Sequence, residues 1–155
     1  MDHDIIEPVR LAAFDEEDLA ILSAHMQDAV MRPADMRYIP ARRRFAMVAS
    51  RFDWEHVAKA GAAAGRYRRR RTGLHFENVL GARVCGFRPG ARGAMLSLLS
   101  ITFTPREAPS GDILLMFSGN AKVKLEVECI EALLRDLGAA WETTRLPVHD
   151  IDAEP

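Results

Sequence analysis

"GRYRRRRTGLHFENV", residues 65–79, puts five arginines into six positions and then continues like a strand. With period two, the even positions are Arg68, Arg70, Thr72, Leu74 and Phe76, and the odd ones Tyr67, Arg69, Arg71, Gly73 and His75. Apolar residues then occupy one face only near the strand's end. Such a segment either grips something anionic or forms a solvated face answering acids elsewhere in the chain. Its reading as a strand also decides the fold class, because the runs around it share its period.

Upstream, "DMRYIP" (35–40) and "RRFAMVASRF" (43–52) read as strands joined by a turn at "PARR", with Phe45, Met47 and Ala49 on one face and Ala46 and Val48 on the other. "RLAAF" (10–14) is a further short strand. Downstream, Glu77-Asn78 forms a turn into "VLGARVCGF" (79–87), and "RPGARG" is a loop. "AMLSLLSITFTP" (94–105) alternates, with Met95, Leu99, Ile101 and Phe103 sharing a face. "DILLMFSG" (112–119) and "KVKLEVE" (122–128) make a second hairpin, with Val123, Leu125 and Val127 inward.

Two segments take helical spacing instead. In "DEEDLAILSAHMQDAVM" (15–31) Asp15 caps the start, Asp18 reaches back, and Leu19, Leu22, Met26, Ala29 and Val30 form the buried stripe up to Pro33. In "CIEALLRDLG" (129–138) Ile130, Leu133, Leu134 and Leu137 recur at helical spacing and Gly138 is a fitting stop, so Leu133 and Leu137 should pack on the sheet. "DWEHVAKAGAAAG" (53–65) is a short Asp53-capped helix or a mobile connection. The fold class implied is α+β: an antiparallel sheet or partly open barrel of about seven strands, in a pleckstrin-homology-like arrangement with an N-terminal and a C-terminal helix. The runner-up is a single curved sheet packed on the N-terminal helix.

A chain of 155 residues suits one domain, expected over 10–147 between flexible tails at 1–9 and 148–155. No apolar run reaches the ~18 residues of a membrane span, and the acidic start "MDHDIIEPVR" is unlike a secretory signal. The expected address is cytoplasmic, where Cys85 and Cys129, 44 positions apart, behave as reduced, mostly buried small hydrophobes. Net charge is −1 but uneven: −7 over 1–36, +9 over 37–71 and −3 over 72–155.

The segments "LAAFDEEDLAILSAHMQDAV", "RRFAMVASRFDWE", "RRRTGLHFENVLGARV", "LSLLSITFTP" and "VKLEVECIEALLRDLGAAW" together resemble a small bacterial family catalogued as domain of unknown function 2948, over roughly residues 10–147. The resemblance implies a compact bacterial cytoplasmic domain. It carries no activity and transfers no functional residue.

The residues themselves show no phosphate-binding loop, GxSxG elbow, HExxH or CxxC motif. The five histidines lack ligand spacing, and "HDID" (149–152) reads as a solvated tail. His25 reads as a boundary histidine. No catalytic residue, metal ligand or cofactor is assigned. The candidate anion or partner surface is Arg66, Tyr67, Arg68, Arg69, Arg70, Arg71 and His75, extended by Arg42, Arg43 and Arg44 if the hairpins are neighbours. The plain alternative is a face whose charge is answered by the acids at 15–18. The function expected is a non-catalytic binding or interaction domain for a protein partner or anionic ligand. A small enzyme with a scattered pocket and a weak nucleic-acid binder are the alternatives. One tyrosine among the arginines falls far short of a base-stacking motif, so nucleic acid is not favoured. Oligomeric state is left open.

Overall fold

The computed structural model of the chain describes residues 8–54, 67–138 and 141–143. In chain order the elements are β1 (Arg10–Ala13), α1 (Glu16–Met26), β2 (Val30–Met31), β3 (Met36–Ile39), β4 (Arg44–Phe52), β5 (Tyr67–Phe76), β6 (Val79–Cys85), β7 (Leu96–Pro105), β8 (Gly111–Phe117), β9 (Lys122–Val127), β10 (Ala132–Asp136) and β11 (Trp141–Thr143). Neighbours pair antiparallel in the order β1-β10-β5-β4-β2-β7-β8-β9-β6, with β3 on β4 and β11 on β5. The pairing path is open, yet its far end returns to the β3–β4 hairpin. There the Val79 amide donates to the Arg43 carbonyl at 2.8 Å and the Tyr38 hydroxyl donates to the Val79 carbonyl at 3.0 Å. Inward side chains of both halves and of α1 therefore share one core. The class is α+β, with one α-helix among the described residues.

Much of the local reading holds. Asp15 caps α1, its carboxylate accepting from the Asp18 amide at 2.8 Å, while Asp18 accepts from the Phe14 amide at 3.1 Å. β4 buries Phe45, Met47 and Ala49, and β9 buries Val123, Leu125 and Val127. Three expectations are corrected. First, α1 ends at Met26, because Asp28 takes a left-handed backbone at φ 66° and turns the chain. Val30 is then a strand residue opposite Ser50 and Ser97. Second, β7 does not keep one alternation. Its register against β8 shifts between Leu98 and Ser100, so Leu96 and Leu98 are buried before the bulge and Ile101 after it, leaving Met95 and Leu99 exposed.

The third correction is the largest. The C-terminal helix expected at 129–138, closing element of the pleckstrin-homology-like arrangement, is instead strand β10, held between β1 and β5. The segment fits both periods. Ile130, Leu133, Leu134 and Leu137 satisfy a helix, but Ile130, Ala132, Leu134 and Asp136 satisfy a strand, and those are the buried ones. Helix propensity differences of up to ~0.7 kcal/mol per residue lose to a ladder made on both sides and to full burial of Ala132 and Leu134. With β2 and β11 the strand total among the described residues is eleven, against about seven expected.

The cysteines are also corrected. Cys85, last in β6, is exposed, and Cys129 is partly buried and accepts from Asn78 Nδ2. The connection at 55–66 and the tail motif at 149–152 lie outside the described residues. No helix among the described residues is long and apolar enough to cross a membrane.

Two measurements check this fold. Leu134→Ala should cost about 2–5 kcal/mol in denaturant unfolding, the range for a buried leucine, whereas Leu137→Ala, at a position 40% exposed, should cost far less. The reverse order would restore a helix. Thiol titration of the native protein should label Cys85 quickly and Cys129 slowly.

Candidate functional site

Strand alternation divides the arginine run between two environments. Arg70 and Thr72 point inward with Leu74 and Phe76 and are buried, and Arg68 shares their parity and is partly buried. Arg69, Arg71, Gly73 and His75 point outward.

The inward group meets β4 and β10. Arg51 lies directly opposite Arg70 in the β4–β5 register, so two buried guanidinium groups are neighbours. Two carboxylates answer them. Asp136 receives Arg51 in a fork, Nε to Oδ1 at 3.0 Å and Nη2 to Oδ2 at 2.9 Å. It also accepts from the Thr72 hydroxyl and the Val9 amide, each at 2.7 Å. Arg70 Nε donates to Asp53 Oδ2 at 2.9 Å and lies 3.9 Å from Asp136 Oδ2. Burial alone would raise the Asp136 carboxyl, but Arg51, Thr72 and Val9 together hold it below the usual carboxylate range. Four donors occupy its two oxygens. This cluster joins strands.

The outward residues belong to a broad face. Register places Arg10, Arg135, Gly73 and Val48 in one row, and Ala12, Leu133, His75, Ala46 and Arg37 in the next. Arg71 opposes Ser50, and Arg44 opposes Ile39. Leu137 leans over the hydrogen-only position of Gly73, where an added Cβ would meet its Cδ1 at 3.4 Å. Apart from His75, the middle of the face is therefore small or apolar, and arginines stand around it. Arg10, Arg37, Arg71 and Arg135 are exposed and make no ion pair within 4 Å among the described residues. Arg71 is near enough to Asp35 to help hold its carboxyl down, behind the larger effect of Arg32.

The proposed surface residues thus separate. Arg66 lies outside the described residues, and Tyr67 is placed only by its backbone, opposite Thr143. Arg70 is buried against Asp53. Arg69 is half withdrawn, donating to the Ser50 carbonyl at 3.2 Å with its guanidinium 6.0 Å from the Phe52 ring centre; burial pulls its pKa down and the Asp28 charge opposes this. Arg44 and His75 meet on Glu77, at 2.8 Å and 3.1 Å, and Glu77 is held below its usual value by Arg44 first. Arg43 pairs with Glu128, and Arg42 is exposed in the turn. The acids at 15–18 answer none of these arginines among the described residues, being placed at the cap of α1. Arg10, Arg37 and Arg135 escaped the sequence reading. The signal for Arg135 was the period-two pattern of 130–136, hidden behind the helical one.

A concavity of about 280 Å³ over β6, β8 and β9 is lined by Arg83, Arg106, Lys124, Asp112 and Glu126. Within it Arg106 pairs with Asp112 at 3.0 Å and with Glu126 at 3.6 Å. No group of three or more His, Cys, Asp or Glu side chains suited to a metal occurs among the described residues.

A family model described as "Protein of unknown function (DUF2948)" matches residues 9–149. No curated protein and no solved structure matches the chain.

Asp136→Asn should cost about 3–5 kcal/mol at neutral pH, because it leaves Arg51 buried beside a neutral partner. Because the folded pKa of Asp136 is depressed, its contribution is complete above the unfolded value near ~3.9 and is lost as pH falls through the folded one. Unfolding curves of the two proteins should therefore converge below about pH 4. A gap that stays constant into acid would mean that the carboxylate charge is not what the site uses.

Proposed function

The chain belongs to the family described as Protein of unknown function (DUF2948), whose description carries no activity, and we propose that it is a non-catalytic interaction domain whose outer sheet face binds an anionic partner. One observation carries this reading. Four exposed arginines, Arg10, Arg37, Arg71 and Arg135, surround an apolar floor on a single face and have no acid in contact with them among the described residues.

A face that only had to stay soluble would be served by mixed charges, which do not accumulate one sign over the surface. Arg10 and Arg135 are direct cross-strand neighbours, an arrangement that repels in the free protein and is relieved when an anion arrives. The floor of Ala12, Leu133, Ala46 and Val48 adds contact that phosphate recognition does not need, and an apolar centre with an arginine rim is the anatomy of a protein interface. This favours an acidic protein surface over a nucleic acid. An enzyme is the weaker reading, since in the concavity over β6, β8 and β9 Arg106 is answered by Asp112 and Glu126.

A poly-glutamate peptide should bind the wild-type chain with an affinity that falls as salt rises. Arg71→Ala with Arg135→Ala should weaken that binding by about tenfold or more and flatten its salt dependence, leaving the melting temperature unchanged. Salt-insensitive binding, or binding undiminished in the double variant, would remove this face from the function. Duplex DNA in a parallel titration should bind more weakly than the peptide.

A further inference from the structure

The same chain carries a second exposed surface that complements the arginine face. α1 buries Leu19, Leu22 and Met26, yet its opposite side is not simply polar. Glu16, Glu17, Ala20, Ile21 and Ala24 are exposed there, Ile21 at 54%, and Phe14 just before the cap is 64% exposed. An amphipathic surface helix would turn polar residues to water. This one presents a small apolar strip that begins among Asp15, Glu16 and Glu17. Acids followed by apolar residues match arginines around an apolar floor.

Dimensions agree. The 11 residues of α1 span about 16 Å, and the five strands β1, β10, β5, β4 and β3 extend for about 19 Å across the sheet. The two surfaces cannot meet within one molecule, because α1 is packed by its other side onto β7 and β1. Two arginine faces repel each other, and so do two acidic helix ends. Only unlike surfaces fit.

Resting on the reading of the face as an anion-seeking surface, we propose that its partner is a second copy of this chain, with α1 of one copy lying across the sheet face of the next. Acids at 15–17 then meet Arg10, Arg71 and Arg135, and Ile21 and Phe14 cover the Leu133–Val48 floor. Such a contact is heterologous: each copy uses one surface and keeps the other, so association continues until a ring closes or the chain of copies ends.

Sedimentation of the full chain at low salt tests this with two variants, Ile21→Lys on the helix and Arg135→Glu on the face. The wild type should gain mass with concentration, reaching on the order of twice the monomer or more, and revert to monomer at ~1 M salt, where screening is nearly complete. Each variant alone should stay monomeric. Mixed in equal amounts they should form a dimer, because the intact helix of the Arg135→Glu copy meets the intact face of the Ile21→Lys copy. A wild type that stays monomeric at low salt, single variants that associate like the wild type, or a mixture that does not pair would overturn the proposal. Ile21→Lys keeps the arginine face, so it should still bind poly-glutamate. Peptide binding without self-association would overturn the copy-to-copy contact alone, and loss of both would overturn the anion-binding face with it.

Discussion

The carboxylate of Asp136 is the point on which the rest of the sheet depends. It takes Arg51 from β4, Thr72 from β5 and the amide of Val9 ahead of β1, so one side chain of β10 ties three neighbours. The Asp136 amide also donates to the Val9 carbonyl at 3.0 Å, which closes the tie from both directions. A slip of β10 by one residue would turn Asp136 outward and leave Arg51 buried without that fork. Removing one partner of a buried pair costs several kcal/mol, a large part of a domain's whole stability. The ion pair adds little net stability beyond an apolar pair of the same volume, but it penalises the wrong register heavily. In choosing the register it also chooses the outer face. With Asp136 inward, Leu133, Arg135 and Leu137 must face out.

The excess of arginine at 66–71 follows from this division. Arg70 is held inside by Asp53, and its neighbour Arg51 by Asp136, so the buried cluster pairs two cations with two anions. The outward arginines contribute differently. Exposed charges with no partner give at most a few tenths of a kcal/mol to folding, and adjacent like charges subtract from it. Arg10 and Arg135, like charges directly opposite each other, are therefore not explained by stability.

The sheet was legible where one period dominated. The alternation of 122–127 is strict, and the turn at 40–43 needs only Pro40 and a left-handed Arg43 at φ 49° to close the hairpin. It failed where two periods coexist, and the ambiguity of 129–138 is intrinsic: four apolar residues satisfy the helical spacing, and three with Asp136 satisfy the strand spacing. Only a long-range fact separates them, the presence of Val9, Arg51 and Thr72 around Asp136, and no local pattern marks an aspartate as an inward residue. The bulge in β7 is similar. Nothing in "LSLLSITF" says which leucine is doubled out of register until β8 lies beside it.

Less of the surface was legible, for a related reason. That Arg69, Arg71 and His75 share a face is a consequence of period two alone, and it holds. That Arg70 leaves them for Asp53, and that Arg43 and Arg44 are taken by Glu128 and Glu77, depends on contacts across 17, 85 and 33 residues. Arg10, Arg37 and Arg135 come from three separate segments and join the face only because β1, β10, β5, β4 and β3 lie in that order. The excess of acid before residue 37 includes the exposed cap of α1, and the excess of base after it includes the outer face of β5. α1 packs by its apolar side into the core and leaves its acidic cap exposed, whereas Asp28 and Asp35 lie near enough to Arg69 and Arg71 for their charges to act on one another.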